Sequence, residues 1–278
     1  FSYNNEHPPL MKTLFGLSWR ALHRCDCPKE GGMHPRPYAT RHRTLGLLTQ
    51  GQALRLPANL LAGLCCAAVF LFGAAAYSRL VGLAAAALTI LMPRHFFHAQ
   101  LACFDAPIAA MITLTTLAYY QAQVTGARRW LVTAAILAGL ALSTKHNAFF
   151  LPFVLLLHSL WVRRAHLADR SRGLFRAVLR WVLAPWIGAF AIFSLPVYVL
   201  SWPWLWYNGA RRFGSYVAFH LNHVYYNIEY LGHNYNRPPF PWHYVFVTTA
   251  LTVPVVTLAL ALYGAALLLR RSNFSAPT

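Results

Sequence analysis

Apolar and polar positions along the chain fall into long blocks, with little alternation inside them. Nearly uninterrupted apolar runs lie at about Leu54–Tyr77, Val81–Met92, Pro107–Gln121, Trp130–Ser143, Phe149–Val162, Val178–Val199 and Tyr244–Leu269. Roughly 20 helical residues cross a hydrocarbon layer, and in lipid every backbone polar group must find its partner inside the protein. Without a period of two, these runs predict membrane helices and not barrel strands. Several are shorter than a full span, which predicts tilted, broken or partly inserted helices. Ahead of them, Lys12–His23 predicts a short amphipathic helix. The stretch CDCPKEGGMHPRPYATRHR that follows, residues 25–43, has no period and reads as an irregular insertion.

The fold class expected is therefore all-α: a polytopic membrane helical bundle with outer-face loops and short amphipathic helices. Residues 1–52 form part of a first non-cytoplasmic loop, 53–199 the helix bundle, 200–244 an aromatic-rich outer loop, and 245–278 a last membrane helix and tail. Composition agrees. Of 278 residues 58% are hydrophobic and 11% charged, and mean hydropathy is +0.42, outside the range of ordinary soluble domains.

The net charge of +18 would raise nucleic acid as a partner, but its distribution excludes that reading. Many arginines fall in WVRRAHLADRSRGLFRAVLR, Trp161–Arg180, between apolar runs, as in a cytoplasmic loop obeying the positive-inside rule. Loops with Arg79, with Arg128 and Arg129, with the Arg163–Arg180 cluster, and with Arg270 and Arg271 alternate with those holding Arg94, Lys145 and the segment after Leu200. The second set, with the N-terminal stretch, is thereby placed on the non-cytoplasmic side.

Six carboxylates exist: Glu6, Asp26, Glu30, Asp105, Asp169 and Glu229. Asp169 sits among arginines as a solvated ion-pair partner, and Asp26 and Glu30 lie in the irregular insertion. Asp105, before Ala106 and Pro107, suits a helix N-cap. Arg94, His95 and His98 nearby suit equally a polar site at the membrane edge, where ionisable groups are costly without a partner or task. Lys145, within STKHNAFF (Ser143–Phe150), reads as a snorkelling cation or as one of a set with Lys12, Arg94 and Arg211 or Arg212 that meets a phosphate at the lipid surface. The segment Ser201–Tyr244 is dense in Trp, Tyr, His and Asn, which serves an interfacial belt or the faces and hydroxyls of a sugar. Of five cysteines, Cys65 and Cys66 lie in an apolar run and Cys103 at a membrane edge. Cys25 and Cys27 with His23 and His34 lack the usual zinc spacing, and no metal ligand is assigned.

Three stretches, EHPPLMK (Glu6–Lys12), PRHFFHAQLACFDAPIAA (Pro93–Ala110) and GLALSTKHNAFFLPFVLL (Gly139–Leu156), resemble in that order the polyprenyl-phosphate-dependent glycosyltransferases of the GT-C fold, the group of protein O-mannosyltransferases and lipid A aminoarabinose transferases. The resemblance covers most of Asn5–Pro152. It implies a multi-spanning transferase of a bacterial inner or plasma membrane. Such an enzyme moves a sugar, with inversion, from a polyprenyl-phosphate donor to a lipid, glycan or protein acceptor on the periplasmic or extracellular face. A divalent cation is the one cofactor left open. Glu6 and Asp105 become the candidate catalytic carboxylates. The family's usual acidic pair precedes the HPPL motif, so the main base is expected upstream of Phe1, in keeping with a chain that opens without Met. Lys12, Arg94, Lys145 and Arg211 become donor-phosphate ligands; His7, His98, His146, Trp204, His220, His223 and Tyr226 line the sugar and acceptor. Pro8 and Pro9 fix the turn that aims Lys12. A transporter, flippase or lipid-phosphate scaffold is the rival reading. A transporter would carry ionisable groups deep inside its helices, whereas charges here sit at helix ends, and His158, the main exception, reads as a packing residue.

Overall fold

A computed structural model describes residues 7–24, 44–162, 185–222 and 225–272. Glu6, Cys25, Asp26, Cys27, Glu30, His34, Asp169 and His223, with the arginine-rich stretch 163–184, lie outside the described residues. The fold is an all-α membrane helical bundle, with one two-stranded hairpin among the described residues.

Helix α1 (Leu10–Leu22) opens the described chain. It buries Met11 and Phe15, four residues apart on one face, against Ala58 of α2 (Gln50–Ala76). Burial of two such side chains contributes about 2 kcal/mol each. Ser18 Oγ donates to Ala53 O at 2.6 Å across the same contact. Thr49 starts α2 with a capping box: its Oγ1 accepts from Gln52 N while Gln52 Oε1 accepts from Thr49 N, satisfying two otherwise orphaned donors.

At 27 residues, α2 is the one helix among the described residues that is long and apolar enough to span a membrane alone. Leu60, Leu64 and Leu71 on it are exposed, as a lipid-facing surface requires. Its partner α3 (Arg79–Ile90) packs so closely that a Cβ built on Gly82 would meet Phe70 O and come within 2.8 Å of Ala74 N. Pro93 opens α4 (Pro93–Ala99), which turns 67° from α3. Near the C-terminus the apolar run expected to be continuous from Tyr244 is broken. Helices α11 (Tyr244–Thr252) and α12 (Val255–Ser272) meet at 118°. Pro254 between them cannot donate to the helical ladder. Counting each bent pair as one span gives up to three among the described residues.

The core of the bundle is a helical hairpin, α5 (Asp105–Thr125) and α6 (Arg128–Leu142), reversed at Gly126 with φ +66°. One face of α6 is small residues, Ala134, Ala135, Ala138, Gly139 and Ala141, all buried, which lets neighbouring backbones approach. Against it lies a broken helix: α8 (Pro185–Ala189), a π turn (Phe190–Ser194) and α9 (Leu195–Ser201). The π turn falls just before Pro196, whose missing N–H leaves the carbonyl four residues back without its usual partner. Ser194 Oγ donates to Ala135 O at 2.5 Å and fixes this seam. Between them in sequence, the 3₁₀ turn His146–Phe149 leads into α7 (Phe150–Val162), which buries Leu151, Leu155 and Ser159 along one stripe. At 15 and 13 residues, α6 and α7 are shorter than a full span.

The aromatic segment after Ser201 is more ordered than its composition suggests. It forms a 3₁₀ turn (Pro203–Trp206), the amphipathic helix α10 (Gly209–Leu221), and a hairpin of β1 (Ile228–Tyr230) and β2 (His233–Tyr235). Leu231 and Gly232, both at positive φ, make the hairpin turn.

Candidate active site

Three chain segments are tied together at one end of the α5–α6 hairpin. The last turn of α6 ends at Ser143, whose Oγ lies 2.6 Å from Ser201 Oγ at the end of α9, and whose carbonyl accepts from Leu10 N at the start of α1, 3.1 Å away. Pro8 and Met11 are fully buried here. Pro9, with its fixed φ, leads directly into α1, and Lys12, one turn in, donates from Nζ to His7 O at 2.9 Å. The Pro-Pro corner thus curls the chain over the junction of α6 and α7.

On that junction Lys145 adopts an extended backbone and reaches Asp105, 40 residues earlier, with Nζ 2.6 Å from Oδ1. Asp105 is the first residue of α5. Phe104 holds the N-cap position and no side chain caps the helix, so the capping role that the sequence suggests is not the one adopted. The carboxylate turns instead to Lys145 and, through Oδ2, to His98 Nδ1 at 3.5 Å. Asp105 precedes the apolar part of α5. Partial burial raises its pKa, but the Lys145 hydrogen bond and charge, then the His98 charge and the Cys103 hydrogen bond, outweigh that and hold it below the usual carboxylate range.

Beside this pair runs a row of imidazoles. The His7 ring packs 4.7 Å from Phe104 and lies parallel to His146, centroids 6.1 Å apart. His146 meets His220 of α10 at 4.4 Å, and His220 meets Tyr216 at 4.4 Å. Tyr216 in turn stands edge-on to Trp202, 5.0 Å away. Residues Arg212, Tyr216 and His220 recur every four positions and form the inner face of α10. His220 Nδ1 donates to Tyr216 O at 2.9 Å, which leaves Nε2 as the acceptor nitrogen of the neutral ring.

A cleft of about 520 Å³ opens on the Asp105 carboxylate, bounded by Arg94, His95, His98, Ala106 and Ala109. A second, apolar groove of about 470 Å³ lies between α2, α5 and α7. It runs from Asn147, two residues from Lys145, past Phe72, Ile112 and Phe150 to His158. His158 is exposed, hydrogen-bonded to Tyr119 Oη at 3.0 Å and edge-on to the Tyr119 ring at 5.6 Å; it packs on Tyr119 and also lines the groove.

Lys12, His7, Asp105, Lys145, His146, His98 and His220 are therefore linked by contacts, with Arg94 on the rim of the cleft. Arg211 is exposed on α10. Its neighbour Arg212 turns inward, donating to Trp204 O at 2.6 Å with its guanidinium 5.4 Å from the Trp204 ring. Trp204 stacks on Trp202, and Tyr226 is 74% exposed on the strand approach. Glu6 and His223 lie outside the described residues. Sequence reasoning overlooked Phe104, the ring between His7 and Phe15, and Cys103, whose Sγ lies 3.9 Å from His98 Nδ1. The signal was a Cys-Phe-Asp run at a helix start, which says nothing of which way each side chain points.

No curated protein and no solved structure matches the chain. Residues 2–214, more than half of the chain and including Asp105, Lys145 and His98, match the profile of the dolichyl-phosphate-mannose-protein mannosyltransferases, and the chain belongs to that family.

Proposed function

We propose that the chain is a membrane mannosyltransferase that takes its sugar from a polyprenyl-phosphate donor at the Lys145–Asp105 junction and passes it to an acceptor hydroxyl on the non-cytoplasmic face. The observation that carries this reading is the meeting of two surfaces. Cationic and imidazole side chains cluster at the end of an apolar groove that begins at Asn147 and follows α7 toward His158. Eleven helical residues extend about 16 Å, enough for several isoprene units, while a phosphate at the mouth meets Lys145, Lys12 and Arg94.

In the transfer the acceptor oxygen bonds to the anomeric carbon as the bond from that carbon to the phosphate oxygen breaks; the acceptor proton leaves to a base and the electron pair to the phosphate. Negative charge therefore develops on the leaving group, and cations fixed in advance stabilise it more than water does. Asp105, its pKa lowered and its Oδ1 bound to Lys145, is a poor proton acceptor. Its part is to hold the Lys145 ammonium toward the phosphate. His7, His146 and His220 offer ring nitrogens for sugar hydroxyls, and the half-buried Trp204, backed by the buried Trp202, offers an apolar edge to a pyranose. The acceptor is a hydroxyl of protein, glycan or lipid.

The test is to reconstitute the protein in nanodiscs with mannosyl-phosphoryl-polyprenol and a panel of hydroxyl acceptors, and to measure release of polyprenyl phosphate together with the anomeric configuration of the product. Acceptor-dependent release with inversion is expected. Tight donor binding without any release would leave a lipid-phosphate carrier and remove the transferase reading.

A further inference from the structure

The loop joining α4 to α5 brings together three donor atoms of different chemistry: His98 Nδ1, Cys103 Sγ and an oxygen of Asp105, all within 4.8 Å of one another. His98 is in the last turn of α4 and Asp105 is the first residue of α5. The loop between them is pinned from behind by the Phe104 ring, packed against His7 and Phe15. The three side chains therefore rest on a fixed frame and not on an open tip.

Their separations decide what they suit. His98 Nδ1 to Asp105 Oδ2 is 3.5 Å, beyond the 2.7 to 3.2 Å of an ordinary N–H···O hydrogen bond. Cys103 Sγ to His98 Nδ1 is 3.9 Å and to His98 O 3.7 Å, and the thiol also hydrogen-bonds to the Asp105 carboxylate. The two contacts to His98 Nδ1 are long for hydrogen bonds, and the thiol already faces the carboxylate. For nitrogen, sulfur and oxygen bound to one tetrahedral Zn²⁺, the known bond lengths give N···O of about 3.4 Å and N···S of about 3.6 Å. The observed N···O of 3.5 Å and N···S of 3.9 Å lie within a few tenths of an ångström of those of a shared ion.

The charges agree with that fit. Asp105 divides its oxygens, Oδ1 going to Lys145 at 2.6 Å and Oδ2 facing His98, so the ion pair leaves a ligand oxygen available. Lys145 then stands behind the carboxylate as the partner that orients it, as second-layer groups do at metal centres. One turn before His98, His95 lines the same cleft, its Nε2 buried without a hydrogen-bond partner among the described residues.

We propose that His98, Cys103 and Asp105 form a three-ligand site for a thiophilic divalent cation of the Zn²⁺ type, with its fourth position open to the cleft for water or an anionic oxygen. Nitrogen, thiolate and carboxylate together favour Zn²⁺ over Mg²⁺ or Ca²⁺, which take oxygen ligands. The site stands on its own geometry and does not depend on the transfer reaction.

The experiment is Co²⁺ titration of the detergent-purified full chain, read by thiolate-to-cobalt charge-transfer absorption and by ligand-field bands, with Zn²⁺ added afterwards as competitor. A single equivalent should give both signals, and Zn²⁺ should abolish them. Cys103→Ser, close in shape to the native residue, should lose the charge-transfer band while keeping the far-ultraviolet circular dichroism of the parent. His98→Ala should weaken Co²⁺ binding by at least about tenfold. The double change Cys25→Ser with Cys27→Ser should leave the band intact. Absence of the band in the parent protein, or a band that survives Cys103→Ser, overturns the site.

Discussion

Lys145 Nζ and Asp105 Oδ1 lie 2.6 Å apart, so the junction of α6 and α7 is joined by charge to the first residue of α5. The lysine is 23% exposed and the carboxylate 46%, which leaves the pair open to solvent from the side of the cleft and closed toward the bundle. If the carboxylate serves the reaction by holding the lysine, the two residues act as a unit. Lys145→Met is expected to lower sugar transfer by about 10²-fold, the scale of losing one preorganised group facing a developing charge. Asp105→Asn is expected to cost about tenfold, and the double variant no more than Lys145→Met alone. Initial rates of polyprenyl phosphate release give all three values. Fully additive losses would separate the two residues into independent roles.

The same pair predicts a pH dependence of stability. The folded-state pKa of Asp105 is lowered by Lys145 and His98 against the rise from burial. The unfolded chain therefore takes up the proton first as pH falls. The stabilisation is complete above the ordinary carboxylate pKa of about 4 and is lost as pH falls from there through the depressed folded value. Because the carboxylate is nearly half exposed, solvent screening keeps the contribution to no more than about 1 kcal/mol. Thermal unfolding in detergent should show the parent protein more stable than Asp105→Asn near neutrality, with the gap closing in acid. A gap that widened in acid would reverse the sign assigned here.

Much of this site was legible in sequence because membrane segments leave few places for charge. With six carboxylates in 278 residues and apolar runs between them, Asp105 and Lys145 stood out as helix-end residues on one side of the alternating loops. Their direct contact was not legible: an Asp before Ala-Pro looks like a cap until the backbone places Phe104 there instead. The break at Pro93 was marked by its proline, whereas the run from Tyr244 was read as continuous through Pro254; the angles of 67° and 118° depend on what each half packs against. The segment 201–244 hid its order for a different reason. A stretch so rich in Trp and Tyr reads as a belt at any period, and the four-residue recurrence of Arg212, Tyr216 and His220 is visible only once Trp202 is known to lie beneath them.

The seam between α6 and the broken helix sets a test of packing. A Cβ at Gly139 would lie 2.7 Å from Ser194 O and 2.8 Å from Val197 Cβ, and neither backbone nor β-branched carbon yields easily. Gly139→Ala should push α9 away from α6, stretch the Ser143–Ser201 contact one turn on, and cost about 1 to 3 kcal/mol from overpacking. Gly126→Ala, with nothing near its Cβ but φ at +66°, should cost about 1 kcal/mol from strain alone. Melting of the two variants in the same detergent checks the order: if Gly126→Ala is the more damaging, the α6–α9 contact is looser than its geometry indicates.

Tyr216 offers the sharpest separation between packing and polarity. Its ring is 2% exposed and wedged between Trp202 and His220, while its hydroxyl is buried without a hydrogen-bond partner among the described residues. Burial raises its pKa far above the phenol range, so the group stays neutral. A buried hydroxyl without a partner costs about 1 to 3 kcal/mol, so Tyr216→Phe keeps the ring, removes that cost, and should raise the melting temperature or leave it unchanged. Tyr216→Ala empties the wedge and should cost about 3 to 5 kcal/mol. Transfer should follow the ring: Tyr216→Phe retains it because His220 stays in place beside His146, and Tyr216→Ala loses at least about tenfold as His220 is released from the row. A Tyr216→Phe variant that melts well below the parent would mean that the hydroxyl is bonded in the membrane-embedded protein, and the three-imidazole row would then be held by a polar network and not by ring packing.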